Sequence, residues 1–162
     1  YVAERIECQN QSVLDLGCGL GLTGIVAGLK GGQVVFADKE IDALGFAAAN
    51  AQRNGCPSFT VKLLDFTHDA LDQQFALILG AEILYDRPTF PALAAFLSCH
   101  LAPGGKALLA DAKRTNTAEF YRQLDQAGLR WTREEVQERE DKLPLTVSIV
   151  TVSHYGHQPH DS

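Results

Sequence analysis

A doubly wound α/β fold, with a mostly parallel seven-stranded sheet that ends in an antiparallel hairpin, is what this sequence predicts, on three observations. The run Val13-Leu14-Asp15-Leu16-Gly17-Cys18-Gly19-Leu20-Gly21-Leu22-Thr23-Gly24 passes from an apolar strand through glycines into a periodic apolar stretch. That is the strand-turn-helix geometry in which backbone comes close to a nucleoside-bearing ligand. Beyond it, apolar runs alternate with helical patterns, a βα rhythm that implies parallel strands covered on both faces. In the last third, Leu129 to Val136 and Leu145 to Tyr155 read as strands with no helix between them. Strands joined that way pair antiparallel.

The elements follow in order. Tyr1 to Glu7 reads as the end of a helix feeding the first strand, and a chain that begins at Tyr1 and contains no methionine is expected to lack its amino terminus. Strands are predicted near 12–17, 33–38, 59–64, 75–80 and 106–111, and helices near 22–30, 42–54, 89–101 and 116–127. The Ala and Leu content of Asp42 to Asn54 suits a helix with one buried face, and Asn54-Gly55 stops it. Pro103-Gly104-Gly105 turns the chain into the fifth strand. The whole of 1–162 reads as one domain, with a proline-bearing tail over 156–162 expected to be disordered.

Composition narrows the class. With 46% apolar and 21% charged residues the usage is that of an ordinary globular domain. A net charge of −6 argues against a dedicated nucleic-acid binder, whose affinity comes from Lys and Arg on phosphates. Cys8, Cys18, Cys56 and Cys99 are scattered without a CxxC pair, so neither a zinc site nor a disulfide framework is indicated, and reduced thiols suit a cytoplasmic protein. No stretch approaches 18 uninterrupted apolar residues, and no signal peptide is visible.

Two ligands fit the glycine turn. Gly19-x-Gly21-x-x-Gly24 matches the dinucleotide fingerprint, with Asp38 lying 19 residues after Gly19 where that fingerprint wants its ribose acid. Asp15 favours the other ligand. An acid at the end of an apolar strand is costly unless something pairs with it; the α-ammonium of S-adenosylmethionine would do so, whereas a pyrophosphate would be repelled. Val34-Val35-Phe36-Ala37-Asp38 is a second apolar strand closing on an acid, suited to a ribose with both hydroxyls free. The plainer alternative is a tight turn with Asp38 as a helix cap, which requires all three features to coincide by chance.

A parallel sheet finished by an antiparallel hairpin resembles the Rossmann-like, seven-stranded class I S-adenosylmethionine-dependent methyltransferases, over nearly the whole chain. The resemblance implies a cofactor site made of Asp15, Gly17, Cys18, Gly19 and Gly21 in the loop, Asp38 and Lys39 at the second strand tip, and Asp65-Phe66 beside adenine. Ala81 joins them at the tip of the fourth strand. Asp65 also reads as a turn cap before Thr67-His68-Asp69.

After the fourth strand, the Asn-Pro-Pro-Tyr sequence of amide and exocyclic-amine methyltransferases is absent. Leu79-Gly80-Ala81-Glu82-Ile83-Leu84-Tyr85 instead resembles the Asp/Glu-x-x-Tyr motif of the family 16 methyltransferases, with Glu where Asp is more familiar. That resemblance implies transfer to a protein nitrogen, above all a lysine side chain, with Glu82 and Tyr85 as catalytic residues and a protein substrate as partner. Glu82 would position the ammonium before its proton leaves, and Tyr85 would hydrogen-bond the amine or wall its channel. The structural alternative is a capping Glu82 and a packed Tyr85.

Competing readings are a small-molecule or RNA methyltransferase on the same fold, an NAD-linked oxidoreductase, and a non-catalytic S-adenosylmethionine-binding protein. The acidic balance disfavours RNA. Asp111-Ala112-Lys113-Arg114 reads as solvated surface, and the mixed-sign run Arg133 to Lys142 as an exposed hairpin. His154, His157 and His160 recur every third residue in the tail, and no metal site is assigned to them. Trp131 reads as core or edge packing.

Overall fold

A computed structural model describes residues 1–112, 116–140 and 143–155. Its sheet has seven strands in the order β3-β2-β1-β4-β5-β7-β6. The strands are β1 (Ser12–Leu16), β2 (Gln33–Asp38), β3 (Phe59–Leu63), β4 (Phe75–Ala81), β5 (Leu101–Asp111), β6 (Leu129–Glu140) and β7 (Leu143–His154). The first five run parallel, while β7 pairs antiparallel with both β5 and β6. Helices α1 (Val2–Arg5), α2 (Leu22–Leu29), α3 (Ile41–Arg53), α4 (Phe90–His100) and α5 (Ala118–Gln126) connect them.

Side chains alternate across each strand, and here both faces are covered. From β1 and β4, Leu14, Leu16 and Ile78 join Leu93, Leu97, Phe90 and Phe120 of α4 and α5 in one apolar cluster. Val13, Leu77 and Leu79 turn the other way and join Ile25, Ala27, Leu44 and Ala47 of α2 and α3. This two-faced burial makes the central strands read as continuous apolar runs.

Three boundaries differ from expectation. The fifth strand begins at Leu101, because Pro103-Gly104-Gly105 forms an irregularity within it: pairing with β4 shifts register between Phe75 and Leu77. At the other end, β6 and β7 run on past their contact with β5. Asp111 pairs with Ser148, whereas residues 136–140 and 143–147 pair only with each other. A two-stranded ribbon therefore projects beyond the carboxyl edge of the sheet, where the mixed-sign run reads as a hairpin; its strands run past the predicted limits at Val136 and Leu145. Trp131 packs as expected, stacked on Tyr121 at 4.2 Å with its indole N–H donated to Asp125. Among the described residues no helix is long and apolar enough to cross a membrane. Lys113, Arg114, Asp141, Lys142 and the tail with His157 and His160 lie outside the described residues.

Candidate functional site

The carboxyl ends of β1, β2 and β4 meet a cavity of about 340 Å³, within the size range of ligand pockets. Gly17, Asp38, Lys39, Asp65, Phe66, Ala81, Glu82 and Tyr85 all line it. Eight sequence-predicted residues from four separate segments thus share one space. Cys18, Gly19 and Gly21 belong to the loop behind it, and Asp15 to the strand β1 that leads into that loop.

The loop is shaped by hydrogen bonds that the strand tips supply. The Cys18 N–H donates to the Ala37 carbonyl, and the Gly21 N–H to that of Cys18. The Asp38 carboxylate accepts from the Gly19 N–H at 3.0 Å through Oδ2 and from the Glu40 N–H at 3.0 Å through Oδ1. Asp38 therefore braces the glycine loop and its own turn without capping α3, whose N-cap is Glu40, and still lines the cavity with lone pairs to spare. Gly17 holds a left-handed backbone, φ 64°, and a Cβ there would come within 2.9 Å of the Ile83 side chain. A side chain at this position would intrude on the cavity's edge. Burial pushes the Cys18 thiol up to about 12, reinforced by the Asp15 and Asp38 carboxylates, so it stays a neutral thiol.

Asp15 differs from expectation. Only 1% of it is exposed, and its carboxylate accepts from the Thr23 hydroxyl at 2.7 Å and from the Gly24 N–H at 2.9 Å. Helix α2 has no side-chain cap of its own at Gly21. Asp15 reaches across from the neighbouring strand and satisfies an orphan N–H of the first turn, where negative charge is favoured. The positive partner that its burial called for is thus the α2 amino terminus.

On the other side of the cavity, Asp65 Oδ1 accepts from both the N–H and the hydroxyl of Thr67, which holds its carboxyl below the usual carboxylate range. Phe66 stands with its ring 6.3 Å from that of Phe96. The turn-cap reading of Asp65 holds for one oxygen.

Glu82 is one of two described non-glycine residues with positive φ, at 57°. Its N–H donates to the Ala110 carbonyl at 2.9 Å, and its Oε1 accepts from the Ala112 N–H at 2.8 Å. These bonds strap the tips of β4 and β5 together and fix a backbone conformation that side chains adopt at a cost. The turn over Leu84 and Tyr85 then brings Tyr85 to the same cavity, with 63% of it exposed. Three residues apart in sequence, the two side chains meet because a left-handed residue is followed by a turn. No local signal marks a glutamate as left-handed, so this strain was invisible in the sequence.

A second cavity of about 270 Å³, largely apolar, opens beside α2 and is lined by Leu22, Val26, Leu79, Leu108 and Ile149 among others. The two cavities share Ala81. Among the described residues no cluster of His, Cys, Asp and Glu forms a metal site.

A model of the lysine methyltransferase family matches residues 3–127. EEF1A lysine methyltransferase 3 of Mus musculus is 30% identical over 131 residues, covering 76% of this chain and 56% of that protein. Protein N-lysine methyltransferase METTL21A of Xenopus tropicalis is 38% identical over 96 residues, covering 56% of this chain and 44% of its own length. The chain thus spans about half the length of these curated relatives. Among solved structures, magnesium protoporphyrin IX methyltransferase of Synechocystis PCC 6803 with bound S-adenosylmethionine superposes with a TM-score of 0.71 at 17% identity, covering 88% of this chain and 70% of that one.

Proposed function

Because this chain belongs to the lysine methyltransferase family, we propose that its strand-tip cavity transfers a methyl group from S-adenosylmethionine to a lysine side chain of a protein. The fold is that of the class I methyltransferases, and S-adenosylmethionine is the cofactor of family and fold. The residues present fit that cofactor: a carboxylate for a ribose diol at Asp38, an aromatic face at Phe66, an acceptor for an exocyclic amine at Asp65, and side-chain-free backbone at Gly17. When bound it supplies a methyl group on a sulfonium.

The observation that carries the proposal is the meeting of Glu82 and Tyr85 with Asp38 and Phe66 around a single cavity. Methyl transfer is an in-line displacement, so the protein's main task is alignment. A free lysine is charged at neutral pH and must lose its proton before its nitrogen can attack. Glu82 accepts a hydrogen bond from the incoming ammonium and Tyr85 orients it with its hydroxyl; loss of water around it in the cavity favours the neutral amine, its proton passes to solvent, and the freed lone pair faces the methyl group. Ala81, shared with the apolar cavity, leaves room at the strand tip for the aliphatic stem. The free thiols Cys8, Cys18, Cys56 and Cys99 suit a reducing compartment, and we place the protein in the cytoplasm.

Calorimetry tests the cofactor site. S-adenosylhomocysteine is expected to bind and NAD not, and Asp38→Ala is expected to weaken binding by roughly 1.5–3 kcal/mol, the scale of hydrogen bonds to a charged group. Tight NAD binding without a response to S-adenosylhomocysteine would sink the assignment.

A further inference from the structure

His100, at the carboxyl end of α4, is 4% exposed and lies outside the cavity lining. Its Nε2 accepts from the Leu71 N–H at 2.9 Å, and its Nδ1 lies 2.8 Å from the Phe96 carbonyl. A nitrogen that accepts an N–H carries no proton, so Nδ1 bears the hydrogen and donates it to Phe96. The imidazole stacks on the Phe96 ring at 4.0 Å and 19°, and Phe96 in turn backs Phe66.

These contacts converge on one loop. Residues 64–71 follow β3 and carry Asp65 and Phe66 into the cavity. The loop is fastened at its start, where the Leu64 N–H donates to the Asp38 carbonyl at 2.9 Å. Internally, the Asp69 carboxylate accepts from the Asp65 N–H at 2.9 Å and the Asp65 carbonyl accepts from the Asp69 N–H at 2.8 Å. At its far end the Leu71–His100 hydrogen bond ties it to α4, and three residues further on the Gln74 amide donates to the Cys99 carbonyl at 3.2 Å. Without the His100 bond the loop keeps its internal turn and the Gln74 tie beyond it, yet loses the hydrogen bond that residues 64–71 themselves make to α4.

We infer that His100 is the positioning residue of the adenine-binding loop, acting on the cofactor through its hydrogen bond to Leu71. The inference rests on the reading of Asp65 and Phe66 as adenine contacts.

Two substitutions divide the imidazole's roles. In His100→Gln the side-chain oxygen reaches about where Nε2 stood and still accepts from Leu71; in His100→Asn the amide reaches only as far as Nδ1, keeping the Phe96 bond and losing the Leu71 bond. His100→Asn is expected to weaken S-adenosylhomocysteine binding about tenfold, the size of one hydrogen bond, and to raise the cofactor KM more than it lowers kcat. His100→Gln is expected to restore affinity to within about threefold, because the same single bond is regained. Parental affinity in His100→Asn, or equal losses in both variants, overturns the inference. If Asp38→Ala weakens binding while His100→Asn does not, the cofactor site stands and only the role of His100 falls; if neither changes binding, the site reading itself falls. Should His100→Asn not fold, amide exchange at Leu71 in the parent decides, with saturating S-adenosylhomocysteine expected to slow it and an unchanged rate contradicting the inference.

Discussion

Burial pushes the Asp15 carboxyl from 3.8 up to about 6, against the Thr23 and Gly24 hydrogen bonds that pull it down. A raised native pKa means that the folded state holds the proton more tightly than the unfolded one. The resulting stabilisation is present below pH 3.8 and is lost as pH climbs through about 6, a change of about 3 kcal/mol. Asp15→Asn keeps an acceptor for Gly24 and offers a donor to the Thr23 oxygen without the charge, so thermal denaturation of this variant should lack the parent's fall in Tm between about pH 4 and 6. Glu82 and Tyr85 give a kinetic prediction. If they orient the acceptor, Glu82→Gln and Tyr85→Phe reduce methylation far more than they reduce cofactor affinity, since alignment acts in the transition state. Glu82→Gln keeps the Ala112 bond, which separates charge from strap; parental turnover in both variants would remove the catalytic roles. The sequence made the acids at 15, 38, 65 and 82 visible as oddities in apolar surroundings, and three of the four line the cavity. It did not reveal that Asp15 serves its own helix, because that partner is eight and nine residues away and appears only once α2 is folded back.

Helix α2 lies close enough to β1 and β2 that a Cβ on Gly24 would sit 2.4 Å from the Phe36 ring and 2.8 Å from the Asp15 carboxylate. This close approach gives the third glycine of the motif its physical meaning. Gly24→Ala forces the helix outward and presses on the acid that caps it, so chemical denaturation is expected to register a loss of about 1–3 kcal/mol. S-adenosylhomocysteine affinity should fall with it, as the glycine loop moves with the helix; an unchanged stability would mean that α2 docks more loosely than its contacts indicate. Elements with strong periodicity or glycine punctuation were readable in the sequence to within a few residues. Those whose limits depend on partners were not: β5 starts early because β4 lies beside it, and the β6–β7 ribbon is strand only because its two halves pair.

Across the whole molecule, strand order brings distant segments to one edge. β1 lies between β2 and β4, so the glycine loop, the β2 acid and the β4 tip open side by side, at the carboxyl edge where ligands of such sheets bind. The order was legible as a class from the βα rhythm and the closing hairpin, while the two cavities and their common residue Ala81 emerge only in three dimensions. The acceptor is the central claim, and its most direct test is the position of the transferred methyl group. The protein is incubated with isotopically labelled S-adenosylmethionine and cellular protein, and labelled peptides are fragmented by mass spectrometry. The account predicts label on a lysine side-chain nitrogen, lost with Asp38→Ala and reduced by Glu82→Gln. Label confined to small molecules or to RNA, with cofactor consumed, would contradict it.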